Sequence, residues 1–140
     1  MEISNIEILP LNIKNRFGRL YDMEAAKRII SEHERQSERF GDYFGCFNTS
    51  EDYYEYGDPD AINIKNIGFA VRDLKIEKNS LKAKIFILET PKGKELKDMI
   101  RSVVFRTSVW GFVNGGRVTV ERLISIDSMG ICYDPFKNII

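Results

Sequence analysis

The chain has 140 residues, enough for one domain with a real core and short for two, so residues 1–140 are read as a single domain. Hydrophobic residues make up 43% and charged residues 30%, which argues against wholesale disorder. With 21 basic and 21 acidic residues the formal net charge is +0, so no whole-molecule field gathers nucleic acid or anionic lipid, and neither partner is expected.

No basic segment followed by an apolar run opens the chain, so no secretory signal is expected. No apolar run approaches the ~20 residues needed to span a bilayer. Cys46 and Cys132 form neither a metal spacing nor a redox pair and are expected as buried free thiols. A soluble intracellular protein, or part of an assembly made inside a cell, is the expectation.

Residues Ile3 to Ile13 alternate loosely around Pro10, which predicts an edge or bulged strand because proline cannot donate to a ladder. Asp22 is placed to cap a helix from Met23 to about Phe40. Ala26, Ile29, Ile30, His33 and Ser37 fall along one side of it, Glu and Arg fill the other, and Gly41 is the stop. Residues 48–60 are acidic, tyrosine-rich and end in turn formers, which predicts an exposed loop. Its tyrosines fit a contact surface, and Tyr53 and Tyr56 fit equally well as caps folded back on the core.

Strands are predicted over about Ile62–Ile76 and Leu81–Leu88, joined by a tight turn at Lys78-Asn79-Ser80. Thr90 caps a second helix with Pro91 in its first position, and Leu96, Met99, Ile100 and Val103 form its apolar side. Strands over about Val104–Val113 and Arg117–Ile126 flank Asn114-Gly115-Gly116, and a last short strand covers Ile131–Tyr133. The class is therefore α+β: a small, largely antiparallel sheet or barrel with two flanking helices.

Chemistry is sparse. A serine hydrolase needs a nucleophile, a base and usually a group to orient that base. The one histidine, His33, lies on the apolar side of the first helix, where a hydrogen-bonded packing role is expected. A Ser-Lys pair needs a desolvated lysine, and the lysines here fall at polar positions. Neither a zinc cluster nor a phosphate-binding loop is present in the pattern. The acids Glu51, Asp52, Glu55, Asp58 and Asp60 fit no calcium loop, so no cofactor or metal is expected.

Short motifs nevertheless run in one order. They are Asn15-Arg16-Phe17-Gly18-Arg19-Leu20-Tyr21, Phe44-Gly45-Cys46-Phe47, the run from Ile87 through Thr90-Pro91-Lys92-Gly93-Lys94 to Leu96, Thr107-Ser108-Val109-Trp110-Gly111, and Gly130-Ile131-Cys132-Tyr133-Asp134-Pro135-Phe136. Together they resemble the skeleton of the tailed-phage prohead (capsid maturation) serine proteases over nearly the whole chain, and the Thr-Pro-x-Gly-Lys run is the specific match. The resemblance implies an assemblin-like fold. It also implies that Thr49 stands where the family keeps its base histidine, Arg106 and Thr107 where it keeps its serines, and Gly130 where it keeps its aspartate. On the same resemblance, Ser108 reads as a displaced serine.

These departures lead to the expectation of a degenerate relative that is not an enzyme: an auxiliary capsid protein of a tailed phage, carried in the virion in many copies. Its partner would be the major capsid protein or another virion protein. Tyr53, Tyr54 and Tyr56 are the expected capsid contacts. Trp110 is a further contact candidate, although a core position is expected for it. The alternative is an active endopeptidase with a rearranged site, using Ser108 as nucleophile and Asp58 or Asp127 to orient His33 or a lysine. The resemblance further requires the segments near Thr49, Arg106–Ser108 and Gly130 to meet.

Overall fold

The computed structural model describes residues 1–48 and 64–136. The tyrosine-rich stretch, with Tyr53, Tyr54, Tyr56, Thr49 and Asp58, lies outside the described residues.

A four-stranded antiparallel sheet forms one layer. It is built from β1 (Glu2–Pro10), β2 (Phe44–Cys46), β3 (Ile67–Glu77) and β4 (Ser80–Ile87), in the order β1-β4-β3-β2. Pro10 ends β1 at the sheet edge, where its missing N–H costs no ladder bond. β3 and β4 meet in a two-residue turn in which Lys78 takes φ 56°. The alternation of β4 buries Leu81, Ala83, Ile85 and Ile87 on one face.

A long two-stranded hairpin, β5 (Val103–Asn114) and β6 (Arg117–Gly130), packs against this sheet and against helix α1 (Met23–Phe40). The result is the expected α+β fold, and of the sheet or barrel expected it is the open sheet that forms. The core lies between them: Phe69 meets Phe105 edge to face at 5.1 Å, with Phe47, Val71, Leu96 and Ile126 around them. Each such large side chain contributes on the order of 1.5–3 kcal/mol by leaving water.

α1 follows the expected pattern. The Asp22 carboxylate accepts from the Ala25 N–H at 2.9 Å, and Gly41 ends the helix at φ 81°, where a side chain would be strained. One assignment differs, because Glu32 is buried against β6. The second helix, α2, spans Pro91–Asp98 with the Thr90 hydroxyl capping Gly93 N–H. It is shorter than its apolar pattern implied: Met99 is exposed, Ile100–Ser102 form a 3-10 turn, and Val103 opens β5. Gly93 is held there by crowding, since a Cβ would collide with the Leu88 carbonyl oxygen.

Three further expectations need correction. Residues Ile131–Tyr133 form a 3-10 turn rather than a strand. Cys132 is exposed, while Cys46 is buried as expected. Trp110 is 59% exposed, because its half of β5 extends past the body of the domain.

Candidate functional site

β6 is the element on which the motif segments gather. Phe47 forms a parallel bridge with Ser128, and Asn48 N–H donates to the Ser128 carbonyl at 2.9 Å. Arg106 and Ser108 stand on the neighbouring strand, opposite Asp127 and Ser125, and Gly130 closes β6 opposite Val103. The segments around 46–48, 106–108 and 130 therefore adjoin one another along a few residues of β6. Thr49 itself is not among the described residues.

The centre of this region is an ion pair. Arg106 donates through Nε to Asp127 Oδ1 at 2.9 Å and through a terminal nitrogen to Oδ2 at 3.2 Å. The Asp127 side chain is 3% exposed and that of Arg106 is 22% exposed. A two-bond fork of this kind fixes the guanidinium plane and offsets much of the cost of burying the carboxylate. Ser108 lies two residues along from Arg106 on the same strand face. It is half-buried and lines a cavity of about 220 Å³ between β1, the 15–21 segment, β5 and residues 134–136. Arg19 and the acids Glu7 and Asp134 line the same cavity.

His33 sits elsewhere. Its Nε2 lies 2.8 Å from the Val71 carbonyl, its ring packs 5.0 Å from Tyr43, and it lines a separate groove with Asp42 and Arg72. Burial lowers its pKa, against the opposing pull of the Val71 carbonyl. His33 is thus the hydrogen-bonded packing residue that its helix position implied. Beside it, burial raises the Tyr43 hydroxyl pKa far above its ordinary value, and the Asp127 and Glu32 carboxylates push it the same way. The Arg35 hydrogen bond holds Glu32 below the usual carboxylate range.

Among the described residues no His, Cys, Asp and Glu cluster could hold a metal ion, and no helix is long and apolar enough to cross a membrane. The sequence offers Asp127 as an orienting group for a base. The structure commits it to Arg106. A pairing signal existed in the hairpin, but two bulges shift its register.

No protein-family model matches the sequence, and no curated protein matches it. The fold does have a counterpart among solved structures. The bacteriophage T4 capsid assembly protease, gp21, superimposes with a TM-score of 0.55, covering 92% of this chain and 90% of that one at 17% sequence identity. This corrects the expectation of a non-enzyme, since the protein that shares the fold is a protease. Over 92% of its length, the chain shares its fold with a capsid assembly protease.

Proposed function

We propose that this chain is a serine endopeptidase of the capsid-assembly kind, acting on proteins of a tailed-phage prohead, with Ser108 as its nucleophile. The observation that carries this reading is the likeness to a capsid assembly protease along nearly the full length of both chains. Ser108 supports it locally: it is a half-buried serine in the wall of a cavity, beside a rigidly held cation on the same strand face.

The chemistry divides among named groups. The Ser108 hydroxyl attacks a peptide carbonyl and must lose its proton to a base. His33 and Asp127 do not fill that role, being engaged by Val71 and Arg106. Glu7, which accepts from the Ser80 hydroxyl, and Asp134, which accepts from the Phe136 N–H at 2.9 Å, are the carboxylates that line the same cavity as Ser108, and neither is held by a cation in a two-bond fork as Asp127 is. The Arg106 guanidinium, oriented in advance by Asp127, stabilises negative charge developing on the attacked oxygen, the kind of electrostatic help worth about 10²–10³ in rate per donor.

The test is incubation of the purified protein with a tailed-phage major capsid precursor, read by mass spectrometry of the products. Cleavage at defined bonds, lost in Ser108→Ala and retained in His33→Ala, is expected. No cleavage, or cleavage that survives Ser108→Ala, contradicts the proposal.

A further inference from the structure

His33 makes one hydrogen bond and has the capacity for two. Its Nε2 lies 2.8 Å from the Val71 carbonyl oxygen, and a carbonyl only accepts, so Nε2 carries the proton. Burial keeps the ring neutral at pH 7, which leaves Nδ1 as a bare acceptor on the other side of the ring. None of the described residues donates to it. His33 is only 7% exposed, yet its Nδ1 is not sealed in, because the ring lines an open groove of about 650 Å³ between α1 and β3. The Ser37 hydroxyl, one turn along α1, lines the same groove and is also buried without a partner.

The charge around these two atoms is mostly negative. Glu34, Glu38, Asp42 and Asp73 line the groove against a single cation, Arg72. Glu34, Asp42 and Asp73 all lie close enough to act on the His33 ring electrostatically. Arg72 is already committed, since it holds Asp42 at 2.7 Å and lies over the Phe86 ring. Asp73 stands at a bulge where the β3–β4 register slips between Arg72 and Lys75, and it shares the Lys84 ammonium with Glu2. Glu34 and Glu38 make no ion pair among the described residues. The groove therefore offers acceptors and negative charge, and it lacks a donor to match them.

We propose that this groove binds a primary ammonium carried on an alkyl chain, the group that a lysine side chain or a polyamine presents. An ammonium has three rotatable donors and no acceptor. One N–H goes to His33 Nδ1 and the others to the Glu34 and Glu38 carboxylates, as charge-assisted bonds. The methylenes lie along Ile30, Val71 and Leu74, the apolar part of the same lining. An anion would meet like charge from four carboxylates. A metal ion is not the occupant, because among the described residues no group of His, Cys, Asp and Glu is placed to hold one. Neither Ser108 nor its cavity takes part, so this inference is independent of the protease reading.

The chain has a single histidine, so its imidazole nitrogens can be followed without ambiguity in the full nitrogen-15-labelled protein by NMR. Nα-acetyl-lysine methylamide is titrated in one arm and spermidine in the other, at pH 7.5 and low salt. The expected result is a saturable shift of the Nδ1 resonance, with Nε2 little moved and a Kd of about 1 mM or tighter. The tighter arm tells a peptide lysine from a free polyamine. Acetylating the lysine Nε should abolish the shift. Raising sodium chloride to about 0.5 M should weaken binding at least tenfold, and so should the combined Glu34→Gln and Glu38→Gln chain, both sites being exposed and outside the core. An Nδ1 resonance that neither ammonium moves would overturn the proposal. An equal shift from the Nε-acetylated compound, or binding that the double variant leaves intact, would overturn it as well.

Discussion

The two halves of the β5–β6 hairpin are one ladder with opposite fates. The half from Val103 to Ser108 is packed against the rest of the domain and carries the Arg106–Asp127 pair. The half from Trp110 to Asn114 is exposed and carries large aromatic side chains. Charge sits where apolar residues are expected, and apolar residues sit where charge is expected. Stability alone explains neither, since a buried ion pair is weak evidence for stability and exposed rings contribute little to folding.

Two bulges separate the halves. Ser108 pairs with Ser125 and Val109 with Leu123, while Trp110 pairs with Arg122 and Gly111 with Val120, so Ile124 and Glu121 are the extra residues. Gly111 is required at the second bulge because a Cβ would collide with the Thr119 carbonyl oxygen. Without the bulges, the Asn114–Arg117 turn would set Arg106 opposite Ser125. The two extra residues bring Asp127 into place.

The contrast is sharpened first by breaking the buried pair. Arg106→Met should cost about 3–5 kcal/mol, because it strands the Asp127 carboxylate without a partner cation. Asp127→Asn should cost less, since the part of Arg106 still open to water can rehydrate. Urea unfolding of both variants measures the difference, and the opposite order would contradict the account of which partner is buried.

Next is the close approach that lets β2 reach β6. A Cβ on Gly45 would enter the Phe69 ring and come within 2.6 Å of the Ile126 carbonyl oxygen. Gly45→Ala should therefore cost about 1–3 kcal/mol by overpacking. Gly18→Ala meets no atom and should lose only what its φ of 75° imposes, about 1 kcal/mol. The two melting temperatures report this directly.

The pH dependence comes from His33. Burial places its folded pKa below the ordinary 6.5, so the unfolded chain takes up the proton first as pH falls. Stability is then full above about pH 6.5 and declines below it, by up to about 1.4 kcal/mol per pH unit until the folded histidine also protonates. Unfolding free energies at pH 7.5 and 5.5 should differ in the wild type by more than in His33→Gln.

The smallest expected effect is on the exposed half. Trp110→Ser and Phe112→Ser should each change stability by less than about 0.5 kcal/mol, measured by urea unfolding. A loss of 2 kcal/mol from either would show that this half is part of the core.

Much of this fold was legible in sequence. Asp22, Gly41, Thr90 and Pro91 carry their signals within a few residues, and the caps and first turns follow from them. The β5–β6 hairpin was announced by Asn114-Gly115-Gly116 for the same reason. What was not legible depends on distant partners. Glu32 is buried because β6 covers it, and nothing near it in sequence says so. Apolar spacing carried the second helix to Val103, but the chain turns into β5 there. Trp110 was expected inside because rings usually are, yet its neighbours run beyond the body. That Arg106 pairs with an acid at this site is within reach of the sequence, but that the acid is Asp127 is not, because bulge positions leave only a faint mark, a glycine at 111. His33 was read correctly because a lone histidine on an apolar helix face needs one carbonyl, and Val71 supplies it.

The central claim, that Ser108 is a nucleophile beside a fixed cation, is met most directly by covalent labelling. The folded protein would be treated with a fluorophosphonate, its intact mass recorded, and the modified peptide mapped. One adduct per chain on Ser108, absent from urea-unfolded protein and from Ser108→Ala, is the predicted result. An unmodified Ser108, or labelling spread over exposed serines alike in folded and unfolded chains, would contradict the claim.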